Sequence, residues 1–166
     1  LSSKADDWSA KQFAAETNVL ARVQHPNLVQ LYGFSTDGKQ KCLVLEHMDT
    51  ALDKRLVADD KPKLSWQQLV QIAVEICRGL VYLHKLKPPM IHRDIKGGNI
   101  LLNGYGSNIA DNSCIAKLAD FGTAREDGDK YRNKHGKFRT RAKTHASTKQ
   151  IVGTSPYMPN EYTRKG

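Results

Sequence analysis

Five polar residues with fixed spacing lie in the segment IHRDIKGGNILL, residues 91–102. Asp120-Phe121-Gly122 follows 26 residues after Asp94. The apolar flanks indicate that the polar groups are partly buried, and buried ionisable groups must be compensated by partners. A lone His-Arg-Asp is usually a solvated turn. Carboxylates, a cation and an amide at this spacing instead indicate a functional site. The five residues are His92, Arg93, Asp94, Lys96 and Asn99.

One helix and a pair of strands are predicted before this segment. Residues 9–24 place apolar side chains at helical spacing, and the pattern stops at His25-Pro26-Asn27 because proline cannot continue a helix. The sequences LVQLYGFS and KCLVLEHM flank the turn-forming pair Asp37-Gly38, which predicts two antiparallel strands.

The longest predicted helix begins after Ser65. Ser65 is the expected N-cap, and Gln68 is its capping-box partner three positions later. Pro88-Pro89 ends the helix. The segments MIHR, NILL and IAKLADF predict short apolar strands, and the tract from Gly122 to about Gln150 is predicted to be irregular. The apolar face of the helix is assigned to residues 69, 72, 73, 76, 80 and 83.

Composition limits the classes of protein to which the chain can belong. It has 166 residues, 39% hydrophobic and 26% charged, which is enough for one domain with a core. No apolar run approaches the roughly eighteen residues of a membrane span, and the first residues lack a signal-peptide pattern. Three cysteines have no paired spacing, and two lie in apolar runs where a thiol acts as a small hydrophobe. A reducing, cytoplasmic compartment is therefore predicted.

The net charge of +9 is concentrated in one segment. Eight Lys or Arg and no acidic residue lie between Lys130 and Lys149. The aromatic residues there are limited to Tyr131 and Phe138, whereas nucleic-acid binding uses interleaved aromatic and basic side chains. The sequence therefore predicts a basic loop and no nucleic-acid partner.

These motifs resemble those of the eukaryotic protein kinase family. The pattern H-R-D-x-K-x-x-N is intact at residues 92–99, and D-F-G follows at residues 120–122. The helix with Glu16 is similar to the family's αC helix, and GTSPYMPNEY resembles the end of its activation segment. The segments HPNLVQLYGF and GTSPYM look most like tyrosine-kinase-like serine/threonine kinases, including receptor-like ones.

The resemblance implies an α+β, protein-kinase-like two-lobe fold that runs from the αC helix to the end of the activation segment. Residues 1–46 would form part of the N-lobe, and residues 47–166 part of the C-lobe. The implied activity is ATP-dependent phosphorylation of Ser or Thr in a protein substrate, with Mg²⁺ as cofactor. The oligomeric state stays open.

The resemblance also gives the motif residues roles. Phosphoryl transfer mainly requires positioning and neutralisation of the charge on the transferred group. Asp94 is expected to accept or orient the proton of the substrate hydroxyl, and Lys96 to approach the γ-phosphate. Asn99 and Asp120 are expected to hold Mg²⁺. In the family a lysine at the position of Lys96 accompanies Ser/Thr substrates. The presence of Thr154 also favours Ser/Thr substrates.

The adenine site follows from the same resemblance. Glu46 and Met48 match the hinge that binds adenine through its backbone, and Leu101 matches the apolar floor beneath the base. Leu45 matches the residue that controls access to the pocket behind the adenine site. A stacked internal column is expected to link the αC helix with the catalytic loop, and it consists of Leu20, Leu31, His92 and Phe121.

The family's glycine-rich loop and its ATP-anchoring lysine match no segment of this sequence. In the family that lysine pairs with the αC glutamate, here Glu16, and the family spacing would place it just before Leu1. Lys4 is the nearest alternative, but no strand pattern surrounds it. The sequence is therefore interpreted as a fragment of a catalytic domain, shortened at both ends. An inactive pseudokinase-like protein and a truncated interaction module are the alternative interpretations.

Arg93 next to Asp94 predicts regulation by phosphorylation. An arginine can pair with a phosphate on the activation segment and order it. The candidate regulatory residues, four of them in the basic tract, are Thr140, Thr144, Ser147, Thr148 and Thr154.

Overall fold

The structure is a computed structural model that describes residues 13–36, 41–105, 114–126 and 153–158. Helices and antiparallel strands occur in separate runs along these ranges, which confirms the predicted α+β class. Residues 13–20 are the described part of helix α1. The elements that follow are β1 (Leu31–Ser35), β2 (Cys42–Leu45), β3 (Thr50–Ala51), α2 (Leu52–Val57), α3 (Trp66–Lys85), β4 (Met90–Ile91), β5 (Ile100–Asn103), β6 (Ile115–Leu118) and β7 (Arg125–Glu126), with 3₁₀ turns at Gly97–Asn99 and Ser155–Tyr157.

Helix α3 begins and ends where the sequence predicts. The Ser65 hydroxyl accepts a hydrogen bond from the Gln68 backbone N–H at 3.2 Å. The Gln68 side chain in turn accepts one from the Ser65 N–H at 2.9 Å, so the capping box is complete. Ile72, Ile76 and Leu83 of the predicted apolar face are buried. The helix therefore packs one face against the core.

Three small antiparallel sheets position the loops of the molecule. The predicted pair β1–β2 is confirmed. Strand β5 lies between β3 and β6, and β4 pairs with β7. The segment before β1 is attached to β6, because the Val29 N–H donates to the Leu118 carbonyl at 3.0 Å and the Leu118 N–H donates to the Asn27 carbonyl at 2.9 Å. The segment that leads into β1 is thereby held against β6.

The hydrophobic core lies between α1, α3 and the β5–β6 pair. Leu20 of α1 is 2% exposed, and Leu83, Leu102 and Phe121 are fully buried. Burying each such side chain contributes about 1.5–3 kcal/mol relative to leaving it in water. In the part of the chain that the structure describes, no helix is both long and apolar enough to cross a membrane.

Several details differ from the sequence-based expectations. Helix α2 and strand β3 were not predicted, and β7 lies in the tract that was predicted to be irregular. Cys42 and Cys77 lie in apolar runs but are exposed, because each is on the solvent side of its strand or helix. The predicted turn at Asp37-Gly38 lies outside the described residues, and the division of the chain at residues 46 and 47 stays a prediction.

Candidate active site

A buried histidine anchors the loop between β4 and β5. His92 is 1% exposed, and its Nε2 lies 3.0 Å from the Ala119 carbonyl. The Asp94 backbone N–H donates to His92 Nδ1 at 3.3 Å, so Nε2 carries the proton of a neutral ring. Burial lowers the pKa of His92, against the opposing effects of the Ala119 carbonyl and nearby carboxylates. The ring also contacts Phe121 edge-on at 5.1 Å, which ties this loop to the segment after β6.

The Asp94 carboxylate is buried within the same loop. It is 7% exposed and accepts hydrogen bonds from three side chains. Burial alone would raise the pKa of Asp94, but these hydrogen bonds outweigh burial and hold the pKa below its ordinary value. Asp94 is therefore ionised at neutral pH. The donors are Thr154 Oγ1 at 2.7 Å, Lys96 Nζ at 2.9 Å and Asn99 Nδ2 at 3.1 Å.

Lys96 and Thr154 connect the loop to the described segment 153–158. The Lys96 amine donates to Thr154 Oγ1 at 2.8 Å, and its bond to Asp94 raises the pKa of Lys96. Gly153 has φ +126°, and a Cβ there would lie 2.8 Å from the Arg93 carbonyl oxygen. The backbone of segment 153–158 thus approaches the loop closely enough to require glycine at this position.

Asn99 and Asp120 lie on adjoining segments. Asn99 is 6% exposed, and its Nδ2 donates to the Asp94 carbonyl at 2.9 Å. The Ala119 N–H donates to the Asn99 carbonyl at 2.9 Å, which places Asp120 next to Asn99. Asp120 is exposed and has φ +63°, a left-handed conformation that non-glycine residues adopt at some energetic cost.

The donor set of Asn99 and Asp120 fits Mg²⁺. The Asn99 Nδ2 group is engaged with Asp94, so its Oδ1 is the atom left to bind a cation. Mg²⁺ prefers hard oxygen ligands and is commonly bound by one or two carboxylates together with water and phosphate. Within the described residues there is no cluster of three or more His, Cys, Asp or Glu side chains that could hold a metal.

The residues expected to contact adenine lie after β2 and in β5. The Glu46 N–H donates to the Gln30 carbonyl at 2.9 Å. Within the described ranges, the Glu46 carbonyl and the Met48 N–H have no hydrogen-bond partner. Leu101 is half-buried and Leu45 is exposed at the end of β2. An unpaired backbone acceptor and donor two residues apart match the edge of a nucleobase.

Glu16 lies on α1, and its carboxylate interacts electrostatically with Asp120, which is expected to bind Mg²⁺. Burial and, to a lesser extent, repulsion from Asp120 raise the pKa of Glu16. The two carboxylates are therefore close enough to repel each other. Leu20, His92 and Phe121 of the expected column are buried, and Leu31 packs against the same core.

The structure places only part of the predicted regulatory set. Arg93 has φ +71°, and its Nε donates to the Thr123 carbonyl at 2.6 Å. Arg93 thus contacts the segment after Asp120-Phe121-Gly122. The four candidate acceptors Thr140, Thr144, Ser147 and Thr148 lie outside the described residues.

Sequence reasoning missed Asp53, which lies against the loop. A Cβ at Gly97 would lie 3.1 Å from Asp53 Cβ, and a Cβ at Gly98 would lie 3.2 Å from Asp53 Oδ2. The start of α2 therefore packs directly on the loop between Lys96 and Asn99. The glycine pair itself was the available signal, because adjacent glycines mark a close backbone approach.

Comparison with known proteins decides the family. A model of the protein kinase domain matches residues 1–166. The chain belongs to the protein kinase domain family. The roles of Asp94, Asn99 and Asp120 as catalytic and metal-binding residues stay predictions.

The chain is also similar to individual plant receptor kinases. It is 40% identical over 165 residues to a probable LRR receptor-like serine/threonine-protein kinase of Arabidopsis thaliana, covering 98% of this chain and 16% of that protein. It is 42% identical over 163 residues to chitin elicitor receptor kinase 1 of Physcomitrium patens, covering 94% of this chain and 21% of that protein. A proline-rich receptor-like protein kinase of Arabidopsis thaliana is 38% identical, with 94% of this chain and 20% of that protein covered. The kinase chain therefore spans about a fifth or less of the length of these curated relatives.

Proposed function

We propose that the protein containing this kinase chain is an ATP-dependent protein serine/threonine kinase. The observation that carries the proposal is the buried Asp94 carboxylate, which three side-chain donors hold ionised on the same loop as Asn99. The similarity to receptor-like serine/threonine-protein kinases supports Ser and Thr hydroxyls of proteins as the substrate class. Neither the described residues nor these relatives favour the pseudokinase-like alternative.

Asp94 is the proposed base. An ionised carboxylate has about four lone-pair positions, and three of those on Asp94 are occupied. The remaining position can accept the hydrogen bond of a substrate hydroxyl and align its oxygen for attack. Because the pKa of Asp94 is low, its main contribution is orientation. It takes the hydroxyl proton only as the oxygen bonds to the γ-phosphorus and the bond from that phosphorus to the leaving ADP breaks.

Lys96, Asn99 and Asp120 are proposed to balance the charge of the phosphates. Magnesium-bound ATP supplies the phosphoryl group and neutralises part of its charge when it is present. The raised pKa of Lys96 keeps its amine cationic, so it can stabilise negative charge beside Asp94. Asp120 and Asn99 Oδ1 provide the oxygen ligands for Mg²⁺.

The nucleotide is proposed to lie between the segment at Glu46 and Met48 and the floor at Leu101. Glu16 is proposed to act through electrostatics. A cation placed near Glu16 and Asp120, either a metal ion or a lysine amine, would relieve their repulsion and favour the ionised form of Glu16.

Regulation and location are part of the same proposal. Arg93 is proposed to pair with a phosphate on one of the acceptors in the basic tract, and this would fix the segment that begins at Thr123. By similarity to receptor-like kinases, the chain is proposed to act on the cytoplasmic side of a membrane as part of a larger protein.

The test uses the whole protein with magnesium, ATP and a peptide carrying Ser or Thr. Asp94→Asn should lower kcat by orders of magnitude with little change in ATP affinity, whereas Asp120→Ala should abolish magnesium-dependent ATP binding. Asp59→Asn is the matched control, because Asp59 is an almost fully exposed carboxylate after α2. Near-normal turnover by Asp94→Asn would show that Asp94 is not the base.

A further inference from the structure

An ion pair lies between two parts of the nucleotide site. The Lys117 amine donates to both oxygens of Glu46, at 2.6 and 2.8 Å. Glu46 follows β2, whereas Lys117 is in β6, three residues before Asp120. The side chains are only 12% and 21% exposed, so solvent screens this pair less than a surface pair.

Strand pairing places Lys117 beside the proposed adenine floor. Lys117 is directly opposite Leu101 in the antiparallel β5–β6 pair. Directly opposed residues have their side chains on the same face of a sheet. Leu102 and Ala116, on the other face, are fully buried in the core. The ion pair therefore lies on the Leu101 face.

Glu46 also binds a third segment. Its carboxylate accepts a hydrogen bond from the Gln30 N–H at 3.3 Å, and its own N–H donates to the Gln30 carbonyl at 2.9 Å. Residues 46–48, here named the hinge segment, are thus attached to the start of β1 and to β6. Just after this segment, the Asp49 N–H donates to the Leu102 carbonyl at 3.0 Å.

We propose that Lys117 is a positioning residue for the nucleotide. Its ion pair with Glu46 fixes the hinge segment relative to β6, and therefore relative to Asp120. This sets the distance between the backbone groups that would bind adenine and the carboxylate that would bind the metal. The proposal rests on the proposed kinase function. Without Lys117, the half-buried Glu46 carboxylate keeps one backbone donor, so it turns toward water and the hinge segment loses its attachment to β6.

The test compares Lys117→Met with Lys117→Arg in the whole protein. The methionine variant keeps most of the side-chain length but removes the charge, and arginine restores a donor to Glu46. The exposed pair of Lys63 with Asp59, whose side chains are 67% and 98% exposed, provides the control Lys63→Met. Losing a partly buried ion pair should raise the KM and Kd for magnesium-ATP roughly five- to twentyfold in Lys117→Met, with kcat changed less than about threefold. The arginine variant and Lys63→Met should stay near wild type.

A readout without nucleotide separates this inference from the kinase proposal. Hydrogen exchange of the Asp49 amide should become faster in Lys117→Met, because the hinge segment is less firmly held. Unchanged Asp49 exchange would overturn the inference even in a protein with no kinase activity. In an active protein, an unchanged KM for ATP, or a change confined to kcat, would overturn it while leaving the proposed function intact. A wild-type protein that fails to phosphorylate any Ser or Thr peptide contradicts only the proposed function.

Discussion

Replacing Thr154 by valine tests how the candidate base is held. Thr154 Oγ1 donates to Asp94 Oδ1 at 2.7 Å and accepts from the Lys96 amine at 2.8 Å. Valine keeps the shape of threonine but has a methyl group in place of the hydroxyl, so both hydrogen bonds are lost. Asn99 and Lys96 still donate directly to Asp94, and the carboxylate therefore stays partly positioned.

The expected loss follows from the bond to the charged carboxylate. A hydrogen bond to an ionised group contributes about 1.5–3 kcal/mol, which corresponds to a roughly 10- to 150-fold decrease in kcat/KM. The bond from Lys96 should add little, because the amine keeps its contact with Asp94 at 2.9 Å. The pKa of Asp94 should rise, since one of the donors that lower it is removed. Because the base acts ionised, the acidic limb of the kcat/KM profile should move to higher pH.

The assay is steady-state phosphorylation of a peptide by the whole protein at several pH values with saturating ATP. Thr154→Ser is the matched control, because it keeps the hydroxyl and loses only a methyl group. If the valine variant retained kcat/KM within about twofold of wild type, with the acidic limb in the same place, the hydroxyl would not support the base.

Three further substitutions test the packing around the site. Burial lowers the pKa of His92, so the unfolded chain binds a proton that the folded chain does not, and stability should fall as the pH drops below about 6.5. In His92→Gln the thermal midpoint should therefore depend less on pH, and an equally steep dependence would contradict this assignment. Ser65→Ala removes the capping box of α3 and should cost about 1 kcal/mol in a urea titration, whereas Ser65→Asp should retain the cap. Gly153→Ala forces a Cβ to within 2.8 Å of the Arg93 carbonyl at φ +126° and should strongly lower kcat. Gly33→Ala, which has open space around the new methyl group, should not change kcat, so a fully active Gly153→Ala would refute the steric argument.

Elements with local signals were predictable from the sequence. The capping box at Ser65 and Gln68 determines where α3 begins, and both of its hydrogen bonds lie within four residues. Segments rich in aliphatic and aromatic residues on either side of Asp37-Gly38 likewise predicted β1 and β2. Elements that depend on distant partners were not predictable. Strand β7 is two residues long and is extended because it pairs with β4. Helix α2 has six residues, too few to show a helical period.

Buried polar contacts between residues far apart in the sequence were likewise not predictable. Glu75 of α3 is 8% exposed, and its carboxylate accepts a hydrogen bond from the Ala116 N–H at 2.6 Å. Its donor is 41 residues away, so helical periodicity gave no reason to expect a buried carboxylate there. In the site, motif spacing predicted Asp94 and Asn99, whose contact is local. It did not predict that Thr154, 60 residues away, would donate to the same carboxylate.

Two residues in left-handed conformations link the site to the segments that follow it. Arg93 and Asp120 have φ values of +71° and +63°, and each such conformation costs on the order of 1–3 kcal/mol for a residue with a side chain. Hydrogen bonds compensate the cost at Arg93, because its Nε donates to the Thr123 carbonyl and Thr123 Oγ1 donates to the His92 carbonyl at 3.0 Å.

The loop that carries Asp94 is therefore held by two separate parts of the activation segment. The contacts of Thr123 hold the backbone before Asp94, and the contacts of Thr154 hold its carboxylate. Displacing either part removes partners from a loop whose conformation is unfavourable without them. The geometry of the proposed base thus depends on the placement of these two parts, and in the proposed regulation a phosphate that orders this segment would act on Asp94 through these same hydrogen bonds.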